Sequence, residues 1–371
     1  MRTIHALSRP GATAVTDAPC PEFELWRSGV RQSALADVAA FVTDRCLPHL
    51  RRTGIDIAPE VLLQFLDSGK CLRSTFMYLG WLCGADPDPA ALKAAAGLEL
   101  LHAFALLQDD VMDDSPVRRG RPAAHIRFAQ WHRDNGLSGP AERFGASLAV
   151  LLSDLCLVWA EQMMRESGLG QVELHRAWPH YDAMRIELAV GQIADVANDA
   201  GAMPTLDTVL DVARRKSGNY TVRRPLEIGA AMAGRDDLLG ALGAYGELVG
   251  EAFQLRDDLL GVFGAPEVTG KPAGGDLAER KATSVVVTAN RMADAAVRRQ
   301  FTELTRAERL DDDDIARWQT LIMATGAVER VEDMIRERVD AAAEQLSDAP
   351  IDDAVRTALT RMAAVCTLRT T

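Results

Sequence analysis

The residues best suited to chemistry are two groups of carboxylates, each late in a long helical segment. The first reads Asp109-Asp110-Val111-Met112-Asp113-Asp114, the second Gln254-Leu255-Arg256-Asp257-Asp258-Leu259-Leu260-Gly261. On a helix, Asp109 and Asp113 share one face about 6 Å apart along the axis. Two carboxylates so placed repel each other unless a cation lies between them, and the helix dipole disfavours Asp at a C-terminal end. Oxygen ligands on a rigid element suit Mg²⁺, which keeps several waters and completes its octahedron with phosphate oxygens. A solvated helix end is the competing reading. Either group alone is compatible with it; two in the same context weigh against it. The run Asp311 to Asp314 is a contrast, because it precedes a helical segment, where N-capping and the dipole favour Asp. It is assigned to structure.

The cations around these groups point the same way. Only five of the 41 basic residues are lysine. Lys93 reads as a chance surface residue, whereas the other four sit in Ser68-Gly69-Lys70, Lys216-Ser217-Gly218, Gly270-Lys271-Pro272 and Arg280-Lys281-Ala282-Thr283. An ammonium is a compact donor for phosphate oxygens, and flanking Gly allows close backbone approach. Arg118-Arg119-Gly120-Arg121 follows the first acidic group within one turn-rich loop. That suggests a polyanion bridged by metal on one side and guanidinium on the other, with a self-neutralising salt-bridge loop as the minority reading.

Helices must position these groups. Asp88-Pro89 opens one, with Asp as N-cap and Pro at the first helical position; it should run through Ala90 to about Met112 before Pro116 stops it. A second should run from about Asp236 to Val262, and its small residues (Gly240, Gly243, Ala244, Gly246, Gly250, Ala252) let a neighbouring helix approach closely. No convincing alternating strand is present, and Ser284 to Val287 reads as helical. The apolar stretch Phe144 to Met164, broken by Asp154 and Glu161, reads as a buried core helix and not a membrane span. Gly- and Pro-rich loops, Asp114 to Pro122 and Gly264 to Gly275, each follow an acidic helix end. Residues 1–21 lack periodicity and read as a mobile tail, leaving 22–371 as one helical domain.

Bulk properties narrow the class. A chain of 371 residues with 48% hydrophobic and 25% charged content is an ordinary globular composition, and 5% aromatics beside abundant Ala and Leu favours helix over strand. A net charge of −12 argues against a nucleic-acid surface. The six scattered cysteines show no metal spacing and read as reduced thiols of a cytoplasmic protein. No secretory signal is visible.

Taken together, the motifs resemble those of the trans-isoprenyl diphosphate synthase (polyprenyl synthetase) family over about residues 60–290. The matching stretches are Gly69-Lys70-Cys71-Leu72-Arg73, Glu99-Leu100-Leu101-His102, Asp109 to Asp113 with Arg118-Arg119-Gly120, Gly191-Gln192-Ile193-Ala194-Asp195, Lys216-Ser217, Phe253 to Asp258, Gly270-Lys271-Pro272 and Lys281. Their order and spacing are specific. The resemblance implies an all-α fold, a single large helical bundle around a deep central cavity, usually homodimeric. It implies that Asp109 and Asp113 hold two Mg²⁺ ions and Asp257 a third, with Asp110 and Asp258 supporting, the two acidic helix ends facing each other. It implies that Arg118, Lys216 and Lys271 clamp an allylic diphosphate, and that Lys70, Arg73, His102 and Arg119 hold isopentenyl diphosphate. Lys281 completes the substrate-binding set. Gln192, Asp195, Lys216 and Gln254 would line the reacting centre. In the family's chemistry the allylic C–O bond ionises and the double bond of isopentenyl diphosphate attacks the cation.

The sequence departs from the family pattern at four positions. Gly261 stands where many members have a third Asp, and Gly275 where an Asp is common, although Asp276 follows. Both changes would make the second site poorer in carboxylates. Ser74 replaces a frequent Pro and Gln108 a frequent His, and both are expected to be mild. Phe104, with Ala105 beside it, lies five residues before Asp109, where a growing tail would meet the ring. In the family this resembles short-chain synthases of the geranylgeranyl type, implying a C20 product with C15 as runner-up. A terpene cyclase would need no isopentenyl site, and a catalytically silent partner subunit is favoured only by the altered second motif.

Overall fold

The computed structural model describes residues 20–67, 69–199, 203–264, 274–307 and 309–368. The expected tail lies almost wholly outside the described residues, as do Ser68, Gly270, Lys271 and Pro272. The fold is all-α: helices follow one another from Pro21 to Thr367, with one two-residue strand pair among the described residues. Contacts divide the chain into two compact units, whose boundaries fall at Trp178/Pro179, Glu227/Ile228 and Arg235/Asp236. The short return Ile228–Arg235 belongs to the first unit.

In the first unit the helix Pro89–Met112 forms as its sequence dictates. Asp88 Oδ1 accepts from the Ala90 amide at 2.7 Å, and Pro89 needs no partner for an N–H it lacks. Ala94, Ala95, Ala96, Leu98, Leu100 and Leu101 are fully buried. Small residues permit this, since a Cβ on Gly97 would stand 3.0 Å from the Ala160 carbonyl on the helix Ala141–Arg165. The return segment is held similarly. A Cβ on Gly229 would lie 1.9 Å from the Met77 carbonyl, and Arg235 Nη1 donates to the Cys83 carbonyl at 2.7 Å.

The helix Ala141–Arg165 corrects the expectation of a buried core helix. Leu151 and Val158 are each 58% exposed, and Leu155 lies on the same face. Both this helix and Pro89–Met112 are long and apolar enough to cross a membrane, by length and composition only. Burial in the unit accounts for the apolarity of Pro89–Met112, whose window is 67% buried, but not for Ala141–Arg165 at 39%. An all-round apolar pattern does not reveal which stripe meets a neighbour.

In the second unit a 3₁₀ turn, Asp236–Leu238, leads into the helix Leu239–Phe263. Its small residues do admit a close neighbour. A Cβ on Gly250 would stand 2.5 Å from Gly218 Cα, and one on Gly246 2.5 Å from Arg223 Cα. That neighbour, Arg214–Arg223, is wound as a π-helix, which periodicity did not foretell. Arg224 then donates to Glu187 at 3.0 Å and to buried Glu227 at 2.5 Å. Ser284–Met292 is helical, and Asp311 and Asp314 form a reciprocal capping box, both as expected.

The glycine crossing yields a paired prediction. Gly250→Ala should destabilise the protein by about 2–3 kcal/mol, because packed backbone must shift. Gly240→Ala, on the same helix but with open space around its Cβ, should stay within about 0.5 kcal/mol. Chemical denaturation of the two variants checks the contrast.

Candidate functional site

In the first unit, Asp109 and Asp110 occupy the last turn of Pro89–Met112, and Asp113 is its C-cap. The loop that follows was expected to lack strands. It contains one antiparallel pair, Val117–Arg118 with Arg121–Pro122. Arg119 and Gly120 link the strands with φ of 52° and 72°, the both-positive pattern of a type I′ turn. An Arg at the first position disguises that turn in sequence. The hairpin sends consecutive arginines to different tasks. Arg118 Nε donates to Asp110 Oδ1 at 2.7 Å and its Nη2 to Asp109 Oδ2 at 3.2 Å, whereas Arg119 donates to the Phe65 carbonyl at 3.3 Å. For Arg118, then, the salt-bridge reading of the loop is realised.

Asp110 is fully buried, and burial raises its pKa against the opposing charge of Arg118. Its Oδ2 has no hydrogen-bond partner among the described residues. Asp109 and Asp113 remain partly open. Asp110 therefore serves as the anchor of the hairpin, and its two neighbours present the carboxylates.

A cationic group lies in the same unit. Burial pushes the His102 imidazole well below its ordinary pKa, and the charges of Arg73, Arg119 and Arg118 push it further, so the ring is neutral. Arg119 is itself lowered by partial burial, then by Arg118; Glu99 and Asp67 oppose, and Arg73 lowers it further. Like charges so close are relieved by a polyanion. Lys70 is exposed on the loop before Leu72–Leu82, and Arg31 Nε fixes that loop by donating to the Gly69 carbonyl at 2.8 Å. Phe104 and Ala105 are partly exposed, while Leu101 and Leu107 on the same helix are buried.

In the second unit, Gly191 explains how Lys216 is placed. A Cβ there would stand 2.7 Å from the Lys216 amide nitrogen, and the close approach sets Lys216 Nζ 2.6 Å from Asp195 Oδ2. Gln192, one residue along, is partly exposed. Gln254 donates to Asp258 Oδ1 at 2.7 Å, and the Ser284 amide and hydroxyl donate to Asp258 Oδ2 at 2.8 and 2.6 Å. Burial raises the Asp258 pKa, with these donors opposing. Asp258 thus ties two helices, while Asp257 stays partly open. Lys281 pairs with Glu279 at 3.0 Å.

One residue of interest escaped the sequence reading. A Cβ built on Gly261 would lie 1.9 Å from Asp276 Oδ2. The carboxylate of Asp276 fills the space where position 261 lacks a side chain, one helical turn beyond Asp257. The Asp after Gly275 was visible in the sequence, but no spacing rule joins it to a helix end across a loop.

Hard oxygen donors, a buried carboxylate oxygen without a partner and an acidic helix end opposed by its dipole fit Mg²⁺. Among the described residues no three His, Cys, Asp or Glu side chains converge as a closed cage.

Comparison with known proteins agrees with this geometry. The polyprenyl synthetase family profile matches residues 57–322. A geranylgeranyl diphosphate synthase of Mycobacterium tuberculosis is 34% identical over 76% of this chain and 76% of its own length. A geranylfarnesyl diphosphate synthase of Aeropyrum pernix is 32% identical over 77% of this chain and 85% of its own. The crystal structure of a geranylgeranyl pyrophosphate synthase from Corynebacterium glutamicum, complexed with isoprenyl diphosphate and magnesium, superimposes with a TM-score of 0.82 at 35% identity, covering 95% of this chain and 100% of that one. With motifs, fold and relatives in agreement, the chain is a trans-prenyltransferase of the polyprenyl synthetase family.

Proposed function

We propose that the chain condenses isopentenyl diphosphate with an allylic diphosphate to give a C20 geranylgeranyl product. The observation that carries this reading is the joining of Asp109 and Asp110, with Asp113 capping the same helix, to an arginine hairpin beside a neutral His102. Asp109 and Asp113, with Asp257 of the second motif, would hold divalent ions, three in all when diphosphate is bound. Divalent ions held there would supply positive charge to the leaving pyrophosphate, the chemistry that ionisation of the allylic C–O bond needs. Arg118, Lys216 and Lys271 would grip the allylic diphosphate; gripping it requires Arg118 to exchange a carboxylate for a phosphate oxygen. Lys70, Arg73, Arg119 and neutral His102, with Lys281, would hold the second diphosphate. Gln192, Asp195 and Gln254 would border the carbon centres. Asp276 would replace the carboxylate that Gly261 lacks.

The C20 length rests on Phe104. Its ring is partly exposed, about 7.5 Å along the helix from Asp109, where a lengthening tail would be stopped. The alternative product is C15 farnesyl diphosphate, and the alternative role is a catalytically weak partner subunit, which the intact first motif opposes. We further propose a cytoplasmic homodimer without a membrane span. Leu151, Leu155 and Val158 recur at helical spacing on an exposed face that also carries Asp154, a pattern suited to a second copy.

Incubating the pure protein with Mg²⁺, isopentenyl diphosphate and each of dimethylallyl, geranyl and farnesyl diphosphate tests the reaction. A C20 diphosphate is expected; hydrocarbon released without isopentenyl diphosphate would mark a cyclase, and no turnover a silent subunit. Asp109→Ala should lower kcat by about 10³-fold, from lost stabilisation of the leaving group. Phe104→Ala should lengthen the product, read by chromatography, and unchanged length would remove the ring as the floor. Leu155→Glu with Val158→Glu should convert a dimer to a monomer by light scattering, and an unaltered mass would place the interface elsewhere.

A further inference from the structure

Glu99 is a carboxylate that the chemistry above leaves without work. It sits in the middle of Pro89–Met112 and is 7% exposed. A buried carboxylate in a helix of Ala and Leu is costly unless its oxygens are engaged. Both oxygens face the loop that carries Lys70 and Arg73. Ser74 Oγ donates to Glu99 Oε1 at 2.6 Å. A Cβ on Gly69 would stand 3.0 Å from Glu99 Oε2, so the loop backbone comes close to the carboxylate there. Cys71, at φ 50° a strained conformation for a non-Gly residue, caps the helix Leu72–Leu82 against the same group. The thiol of Cys71 is pushed up by burial and then by the Glu99 charge, which places the two side by side. The Glu99 charge also opposes the mutual repulsion that burdens Arg119.

We propose that Glu99 is a positioning residue for the second substrate, fixing the segment Gly69–Arg73, which leads into the first turn of Leu72–Leu82, and Arg119 in the arrangement that receives the diphosphate of isopentenyl diphosphate. The inference rests on the reading that this loop and Arg119 bind that substrate. Ser74 gives it a feature specific to this chain. Where a Pro is frequent in the family, a hydroxyl here ties the first turn of the helix Leu72–Leu82 to a buried carboxylate. Gly69 supplies the approach, Ser74 the tie and Glu99 the anchor. Glu99 is tied to Ser74 and lies beside Cys71 and Arg119, so its loss should register chiefly in the substrate held on that side.

Glu99→Gln keeps the shape and removes the charge; Ser74→Ala removes only the tie. Steady-state kinetics with each substrate varied in turn should show the KM for isopentenyl diphosphate raised about tenfold in Glu99→Gln and about threefold in Ser74→Ala. The KM for the allylic substrate should stay within twofold. Calorimetric titration with isopentenyl diphosphate alone should show the same weakening without any turnover. An unchanged KM for isopentenyl diphosphate in both variants, or a parallel rise for both substrates, overturns the proposal and leaves Glu99 a purely structural acid. Should Glu99→Gln fail to fold, Ser74→Ala decides by the same split. If the wild-type protein neither binds nor consumes isopentenyl diphosphate, the reading of the loop itself fails, an outcome distinct from a variant without effect.

Discussion

The structure depends on carboxylates held at the wrong end of helices. Asp109 and Asp113 close one long helix and Asp257 lies in the last turns of another, where the dipole opposes negative charge. Such a placement costs stability in the protein alone, and the surrounding residues contain that cost. Asp110 is tied by Arg118, and Asp258 by Gln254 and Ser284. In each pair one Asp is buried and hydrogen-bonded while its neighbour is left open. The division is a general solution: the buried acid orients the helix end, and its neighbour is left partly exposed beside it.

The cationic side follows the same logic. Arg73, Arg118 and Arg119 bear on one neutral histidine, and a type I′ hairpin separates two consecutive arginines. Arg118 is matched by Asp109 and Asp110, and the Glu99 charge opposes the repulsion on Arg119. Lys216 likewise has Asp195 2.6 Å away. A group that must exchange partners during binding is well served by a carboxylate it can leave.

Much of this was legible in the sequence because it is local. The Asp88-Pro89 start, the Asp311 capping box and the Gly-rich helix follow from rules reaching only a few residues, and the Gly250–Gly218 crossing realises the close approach those small residues allow. What escaped depends on contacts between distant segments. Asp276 reaches the gap at Gly261 across a loop, the Arg119-Gly120 turn lacks its usual Asn or Asp, and Arg214–Arg223 is π-wound against a neighbour that periodicity cannot name. The exposed face of Ala141–Arg165 was hidden for the opposite reason. Its exposed face mixes Leu151, Leu155 and Val158 with Asp154, so composition alone does not separate burial from exposure until the helix is packed.

Whether both acidic motifs serve one allylic diphosphate through divalent ions, as proposed, can be measured. The most direct test is calorimetric binding of a non-ionising allylic thiodiphosphate, with and without Mg²⁺, to the wild-type protein and to the Asp109→Asn and Asp257→Asn variants. The account predicts tight binding only with the metal, weakened at least tenfold by either substitution. Metal-independent binding, or wild-type affinity in Asp257→Asn, would contradict it.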